Sequence, residues 1–216
     1  MREVKVKLYQ FNELQLKQAK ERAREWMREG NSEDFDPEFE QFETAAKLLG
    51  IDLDSRAIQT HGGKTRYEPH ILYSGFSSPG DGASFVGTYE FNPGCSEAIR
   101  EEFGGDGDMN TRLHEIADGL TTLHVGWKLL GKSPGTVKIT QDGRGVHKYT
   151  MGLEMSDANE ALTCDDEQAL LKLMRDFADW IYRSLEAEYE WLMSNEAIDE
   201  SLEANEYEFT EDGERA

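Results

Sequence analysis

The chain has 216 residues, 38% of them hydrophobic and 10% aromatic, so it can bury a sizeable core and is not a disordered composition despite a mean hydropathy of −0.70. Its 44 acidic residues against 23 basic ones give a formal charge of −21. Such a surface repels a nucleic-acid backbone and an anionic membrane. It selects proteins with basic surfaces as partners, unless the charge serves solubility alone.

In chain order, Val4, Val6 and Leu8 alternate with charged residues and predict a half-buried strand. From Asn12 the spacing of Leu16, Ala19, Ala23, Trp26 and Met27 predicts a helix closed by Gly30. Eight Lys or Arg within residues 1–30 make this opening the basic part of the molecule. Asp36 and Pro37 start a second helix with Phe39, Phe42, Ala45, Ala46 and Leu49 on its apolar face. Short strands are predicted at Ala57 to Thr60, His70 to Tyr73 and Phe85 to Phe91, with HGGKTRYEP read as a loop. A third helix runs from Asn110 to Leu130. Thr136 to Thr140 and Val146 to Met151 flank QDGRG as a hairpin.

From Asp165 to Leu192 a long amphipathic helix carries Leu170, Leu173, Met174, Phe177, Ile181 and Leu185 on its stripe. Trp26, Trp127 and Trp180 lie near apolar stripes and read as core, whereas Trp191 reads as half-exposed. In the tail SLEANEYEFTEDGERA, Tyr207 and Phe209 alternate with polar residues, which allows a short edge strand. No repeat or linker divides the chain. The expectation is one α+β domain over residues 1–216, with a small antiparallel sheet, about four helices and an acidic C-terminal segment at 199–216.

Chemistry-bearing patterns are few. Cys95 and Cys164 form no CxxC pair, which argues against a disulfide framework or a cysteine zinc site. The HEIAD stretch lacks the second histidine of a zinc helix, and no GxSxG is present. Neither a metal, a cofactor nor a catalytic residue is proposed from sequence. MREVKVKLYQF lacks the apolar core of a signal peptide and no run approaches a membrane span, so a reducing cytoplasm is the expected location.

Two stretches carry binding hypotheses. The first is GFSSPGDGASF, where Gly80 and Gly82 permit close backbone approach and Asp81 can brace a turn. The amides around Ser77 and Ser78, with Ser84 and the rings of Phe76 and Phe85, form a candidate cradle for a nucleotide or other small anion. The plain alternative is a hairpin loop. The second is the acidic end, with Glu186, Glu190, Glu196, Asp199, Glu200, Glu203, Glu206 and Glu208 as a surface that imitates a phosphate ladder. Against it stand two other uses: a solvated face, and attraction to the basic first helix within the fold.

YSGFSSPGDGASFVGTY resembles a YSGFWSQGDGASFEGxY-type motif of small acidic proteins from tailed bacteriophages and prophages. LKQAKERAREW, AAKLLGIDLD and SLEANEYEFTEDG are also similar to that group, so the resemblance spans the chain. Here Ser77 stands in place of an aromatic and Pro79 in place of a polar residue. The resemblance implies a phage origin, expression in the host bacterial cytoplasm and a role in managing host functions or defences; some members carry an antitoxin label, and it supplies no catalytic residues.

The leading expectation is a non-enzymatic phage accessory protein that binds and neutralises a basic host protein, such as a defence effector, nuclease or toxin. The second is a nucleotide-sequestering protein using residues 75–85, which requires Arg56, Lys64, Arg66 or Arg144 to converge. The third is an enzyme whose pocket joins Asp81, Ser84 and a histidine. Oligomeric state is left open.

Overall fold

The computed structural model describes residues 7–30, 35–59, 63–105, 107–133, 135–143, 145–155 and 162–216. In chain order its elements are β1 (Tyr9–Gln10), a 3₁₀ turn (Phe11–Glu13), α1 (Lys17–Gly30), α2 (Asp36–Leu49), β2 (Ile51–Leu53), β3 (Ser55–Gln59), β4 (Thr65–Pro69) and β5 (Ile71–Tyr73). There follow β6 (Ala83–Phe85), β7 (Gly87–Tyr89), α3 (Cys95–Glu102), α4 (Asp108–Leu129), β8 (Val137–Gln141), a second 3₁₀ turn (Lys148–Thr150), β9 (Met151–Met155), α5 (Cys164–Leu192), α6 (Asn195–Ala204) and β10 (Glu208–Phe209). The class is α+β with antiparallel strands and a long C-terminal helix. Contacts divide the chain into two compact units, one from Asp36–Leu185 and the other from both ends, Met1–Phe35 and Glu186–Ala216.

In the continuous unit, β2, β7, β8 and β9 form an antiparallel sheet in that order, with Ile51 opposite Tyr89 and Ile139 opposite Leu153. Two further hairpins, β3–β4 and β5–β6, accompany it. Gly50 ends α2 at φ +86, and a Cβ there would lie 2.1 Å from Glu90 O, so only glycine fits. The core fills with alternating positions of the strands and the inner stripes of the helices. Phe177 is fully buried and packs edge-on to Phe85 at 5.5 Å, while Trp180 stacks on Phe177 at 5.6 Å.

The unit made from the chain ends is smaller. β1 pairs with β10, Tyr9 opposite Phe209 and Gln10 opposite Glu208. Phe11, Leu14, Ala19, Ala23, Ile198, Leu202 and Phe209 form its core, with Trp26 edge-on to Tyr207 and Phe209. Gly213 has φ +85, and a Cβ on it would meet Ala19 O at 2.1 Å, so the terminal turn lies directly against the α1 backbone.

Several expectations need correction. The predicted loop HGGKTRYEP contains β4, which pairs with β3 over Thr65–Pro69. Phe85 to Phe91 is two strands rather than one, and the second arm of the QDGRG hairpin lies at Met151–Met155, with Gln141 opposite Met151. The helix expected from Asn12 begins at Lys17, after the 3₁₀ turn, and leaves Leu16 57% exposed. Two helices were not foreseen, α3 and α6. The strand expected at Val4 and Val6 lies outside the described residues, as do Thr60, His61 and Arg144.

Candidate functional site

GFSSPGDGASF spans the turn of the β5–β6 hairpin, in which Tyr73 faces Ala83 and Ile71 faces Phe85. Its geometry is closed by its own carboxylate. Asp81 Oδ2 accepts from the Ser77 amide at 3.0 Å and the Ser78 amide at 2.6 Å. The Ser78 amide, followed by the Ser77 amide and the Ser74 hydroxyl, holds the Asp81 carboxyl below the usual carboxylate range. The cradle reading depends on those two amides, and an internal anion already fills them.

The rest of the loop is anchored rather than open. Phe76 stacks on Tyr73 at 6.3 Å and meets Tyr182 at 5.7 Å, while the Tyr182 hydroxyl donates to Gly75 O at 3.2 Å. Gly82 is buried against His147, where a Cβ would approach the ring at 2.7 Å. Gly80, in contrast, faces open space. Ser84 is fully buried, and its Oγ has no hydrogen-bond partner among the described residues. Of the cations that a nucleotide site requires, Arg56 and Arg66 both lie beside Glu68, at 3.6 and 3.5 Å, on the β3–β4 ribbon.

The acidic residues divide by role. In the unit formed by the chain ends, Arg24 grips Asp199 bidentately, with Nε and Nη2 at 2.6 and 2.7 Å from its two oxygens. That pair, then Glu21, raises the Arg24 pKa further above its ordinary value against the opposing effect of burial. Arg28 contacts Glu21, Asn195 and the Met193 carbonyl, and Arg22 reaches Asp212. Asp199, counted from sequence among the partner-binding residues, is thereby a structural clasp. The basic helix and the acidic end do attract one another within the fold.

What remains faces solvent. Glu190, Glu196, Glu200, Glu203, Glu206 and Glu208 are exposed, and Glu186 is half-buried. Glu196, Glu200 and Glu203 recur at four and three residues on α6, opposite the buried Ile198 and Leu202, so their carboxylates share one face. Ser194 caps that helix by accepting from the Ala197 amide. Glu206, just past its end, has φ 50. Trp191 is 46% exposed on the same unit.

Two polar constellations in the other unit escaped sequence analysis. Asp166 receives Trp127 Nε1 and Lys132 Nζ at 2.7 Å each, and the Thr163 amide and hydroxyl at 2.8 Å. Lys132 first, then Thr163, pulls its pKa well below the ordinary carboxylate value. The Asp166 amide bonds back to Thr163 Oγ1, which completes a capping box. The Thr163-x-x-Asp166 spacing was a readable signal. Deeper inside, His124 Nε2 meets the Tyr89 hydroxyl at 2.9 Å, with Phe91 stacked at 3.9 Å and Trp127 edge-on. Burial pushes the His124 pKa down to about 4 and raises that of Tyr89. Both constellations are closed by their own partners and tie elements together.

No group of three or more metal-binding side chains occurs among the described residues, and no described helix is long and apolar enough to cross a membrane. A family model for DUF8835, a domain of unknown function, matches residues 35–195. No curated protein and no solved structure matches the chain.

Proposed function

The chain belongs to the DUF8835 family, and we propose from its own residues that it is a non-enzymatic phage accessory protein that captures and neutralises a basic host protein in the bacterial cytoplasm. The observation that carries this reading is the row of solvent-facing glutamates on the unit formed by the chain ends. The arginines of α1 engage Asp199, Asp212 and Glu21, which leaves Glu196, Glu200 and Glu203 displayed on one helical face at intervals of roughly 6 and 4.5 Å along its axis. Glu208 and Glu206 continue the charge beyond the helix. A field of this sign raises the on-rate of basic partners and rejects acidic ones. The exposed Trp191 supplies the aromatic contact that such interfaces favour. The phage and host parts of the proposal are supported by the motif resemblance.

Glu206 adds a structural argument. A left-handed backbone after a helix normally takes glycine, and holding a glutamate there costs about 1 kcal/mol. That strain is consistent with a carboxylate retained for contact rather than for folding. The nucleotide reading has weaker support, because Asp81 occupies the amides it needs.

The test is capture of host proteins by the tagged chain at low and high salt, followed by affinity measurement on the purified partner. Replacing Glu190, Glu196, Glu200, Glu203 and Glu208 with Gln weakens binding by about tenfold or more and flattens its salt dependence. Glu206→Gly raises stability by about 0.5–1 kcal/mol while it weakens the complex. Unchanged affinity in the multiple variant rules the proposal out.

A further inference from the structure

A different surface carries the second inference. The buried stripe of α4 is Leu113, Ile116, Ala117, Leu120, His124 and Trp127. Its outward face changes character along its length. Near the start it is charged, with Arg112 paired to Asp108 and Asp118 paired to Arg100. Beyond Asp118 the carboxylates end, and the exposed Lys128 is the one charged residue left on the helix. Residues 119–141 contain no Asp or Glu, in a chain where acidic residues number 44 of 216.

Thr122, Val125, Gly126 and Leu129 all lie exposed here, spaced as one face of a helix. Val125 is 52% exposed, Leu129 83% and the adjoining Leu130 71%. An exposed apolar cluster beside an ordinary core stripe marks an interaction surface.

Gly126 supplies an independent observation. A glycine within a helix costs about 1 kcal/mol relative to alanine. Gly119, on the same helix, is explained by packing, since a Cβ there would come within 2.6 Å of Leu173. Gly126 has no such reason: its φ is not positive and a Cβ would meet nothing within 4 Å. A bare backbone on an exposed apolar stripe permits close approach by another helix.

We infer that this face is the interface between two copies of the chain, packed across a two-fold axis with α4 against α4. Charge selects the occupant. Two molecules of charge −21 repel over most of their surfaces, and the acid-free stripe lets them meet with least opposition. The stripe is also self-complementary, as a two-fold contact requires. An antiparallel crossing that seats Leu129 of each copy over Gly126 of the other also brings Leu130 to Val125. Lys132 and Lys138 are paired with Asp166 and Glu154 within each copy, which leaves the exposed Lys128, a single positive charge that does not make a strongly basic face for an acidic partner.

Sedimentation velocity of the full chain across a concentration series tests this, at about 0.05 and about 0.5 M salt. The expected result is a monomer–dimer equilibrium that tightens several-fold at the higher salt, because screening relieves the repulsion. This trend is opposite to that of the glutamate-mediated complex. Leu129→Glu weakens dimerisation about tenfold or more. Gly126→Leu also weakens it by filling the seat, yet leaves the melting temperature equal or higher, which separates loss of the interface from loss of the fold. A monomer at every concentration and both salts overturns the inference, as does a dimer that both substitutions leave intact.

Discussion

The two units are stabilised in different ways, and the difference shows what each half of the composition does. The continuous unit relies on apolar burial, with Phe85, Phe177 and Trp180 at its centre and polar groups such as Tyr89 and His124 sealed inside. The unit made from the chain ends has a smaller core and a rim of guanidinium–carboxylate contacts: Arg24 with Asp199, Arg28 with Glu21, Arg22 with Asp212. Excess acid beyond those contacts is then displayed. Packing is insensitive to salt, whereas ion pairs near the surface are not. The continuous unit has ion pairs of its own, such as Lys132 with Asp166 and Lys148 with Asp179, but its larger apolar core makes it the less salt-responsive of the two.

The sharpest way to break this contrast is to remove packing from the continuous unit. Phe177→Ala deletes a fully buried ring and should cost about 3–5 kcal/mol, read as a lowered urea midpoint. If α4 amides lost no more protection from hydrogen exchange than α1 amides, the division into differently stabilised units would be wrong.

Acid is the next lever. The folded His124 pKa of about 4 lies below its ordinary value of 6.5, so the unfolded chain binds the proton more readily. The stability from keeping this ring neutral is complete above about pH 6.5 and is lost as pH falls toward 4, by roughly 3 kcal/mol. Asp166 and Asp81 titrate below the ordinary carboxylate value of 3.8, so they contribute little in that window. His124→Gln keeps a partner for the Tyr89 hydroxyl and should flatten the profile. A slope that persists in this variant assigns the sensitivity elsewhere.

The smallest effect is expected in the other unit. Arg24 is only 17% exposed and holds Asp199 with two bonds, so Arg24→Ala costs about 1–2 kcal/mol there. Hydrogen exchange in α1 accelerates while that of α4 does not. High salt should produce a weaker version of the same pattern in the unsubstituted chain.

Legibility in the sequence follows the same physics. The span of α5 was readable because its three- and four-residue spacing persists from Leu170 to Leu185, and α2 because Asp36, Pro37 and Gly50 punctuate it. α6 was hidden: Ser194 ends one helical run and caps the next, but the glutamates around Ile198 and Leu202 read as an acidic tail. β4 was missed because Thr65–Pro69 is polar and ends in proline, and only pairing with β3 makes it a strand. At the candidate loop, sequence located the turn but not the direction of Asp81, which depends on backbone geometry over five residues. The clasp role of Asp199 required knowing that residues 175 positions apart meet.

The pairing of β1 with β10 bears on biosynthesis. Tyr9 and Gln10 are made roughly 200 residues before their partners Phe209 and Glu208. The continuous unit is complete in sequence by Leu185 and can fold first, as early domains do during synthesis. Throughout that time α1, with its arginines and the apolar Ala19–Ala23 face, waits without the strand and helix that cover it. A premature stop between Leu185 and α6 would thus release a chain whose continuous unit is finished and whose α1 is left uncovered, giving proteases a segment to attack on unfinished copies.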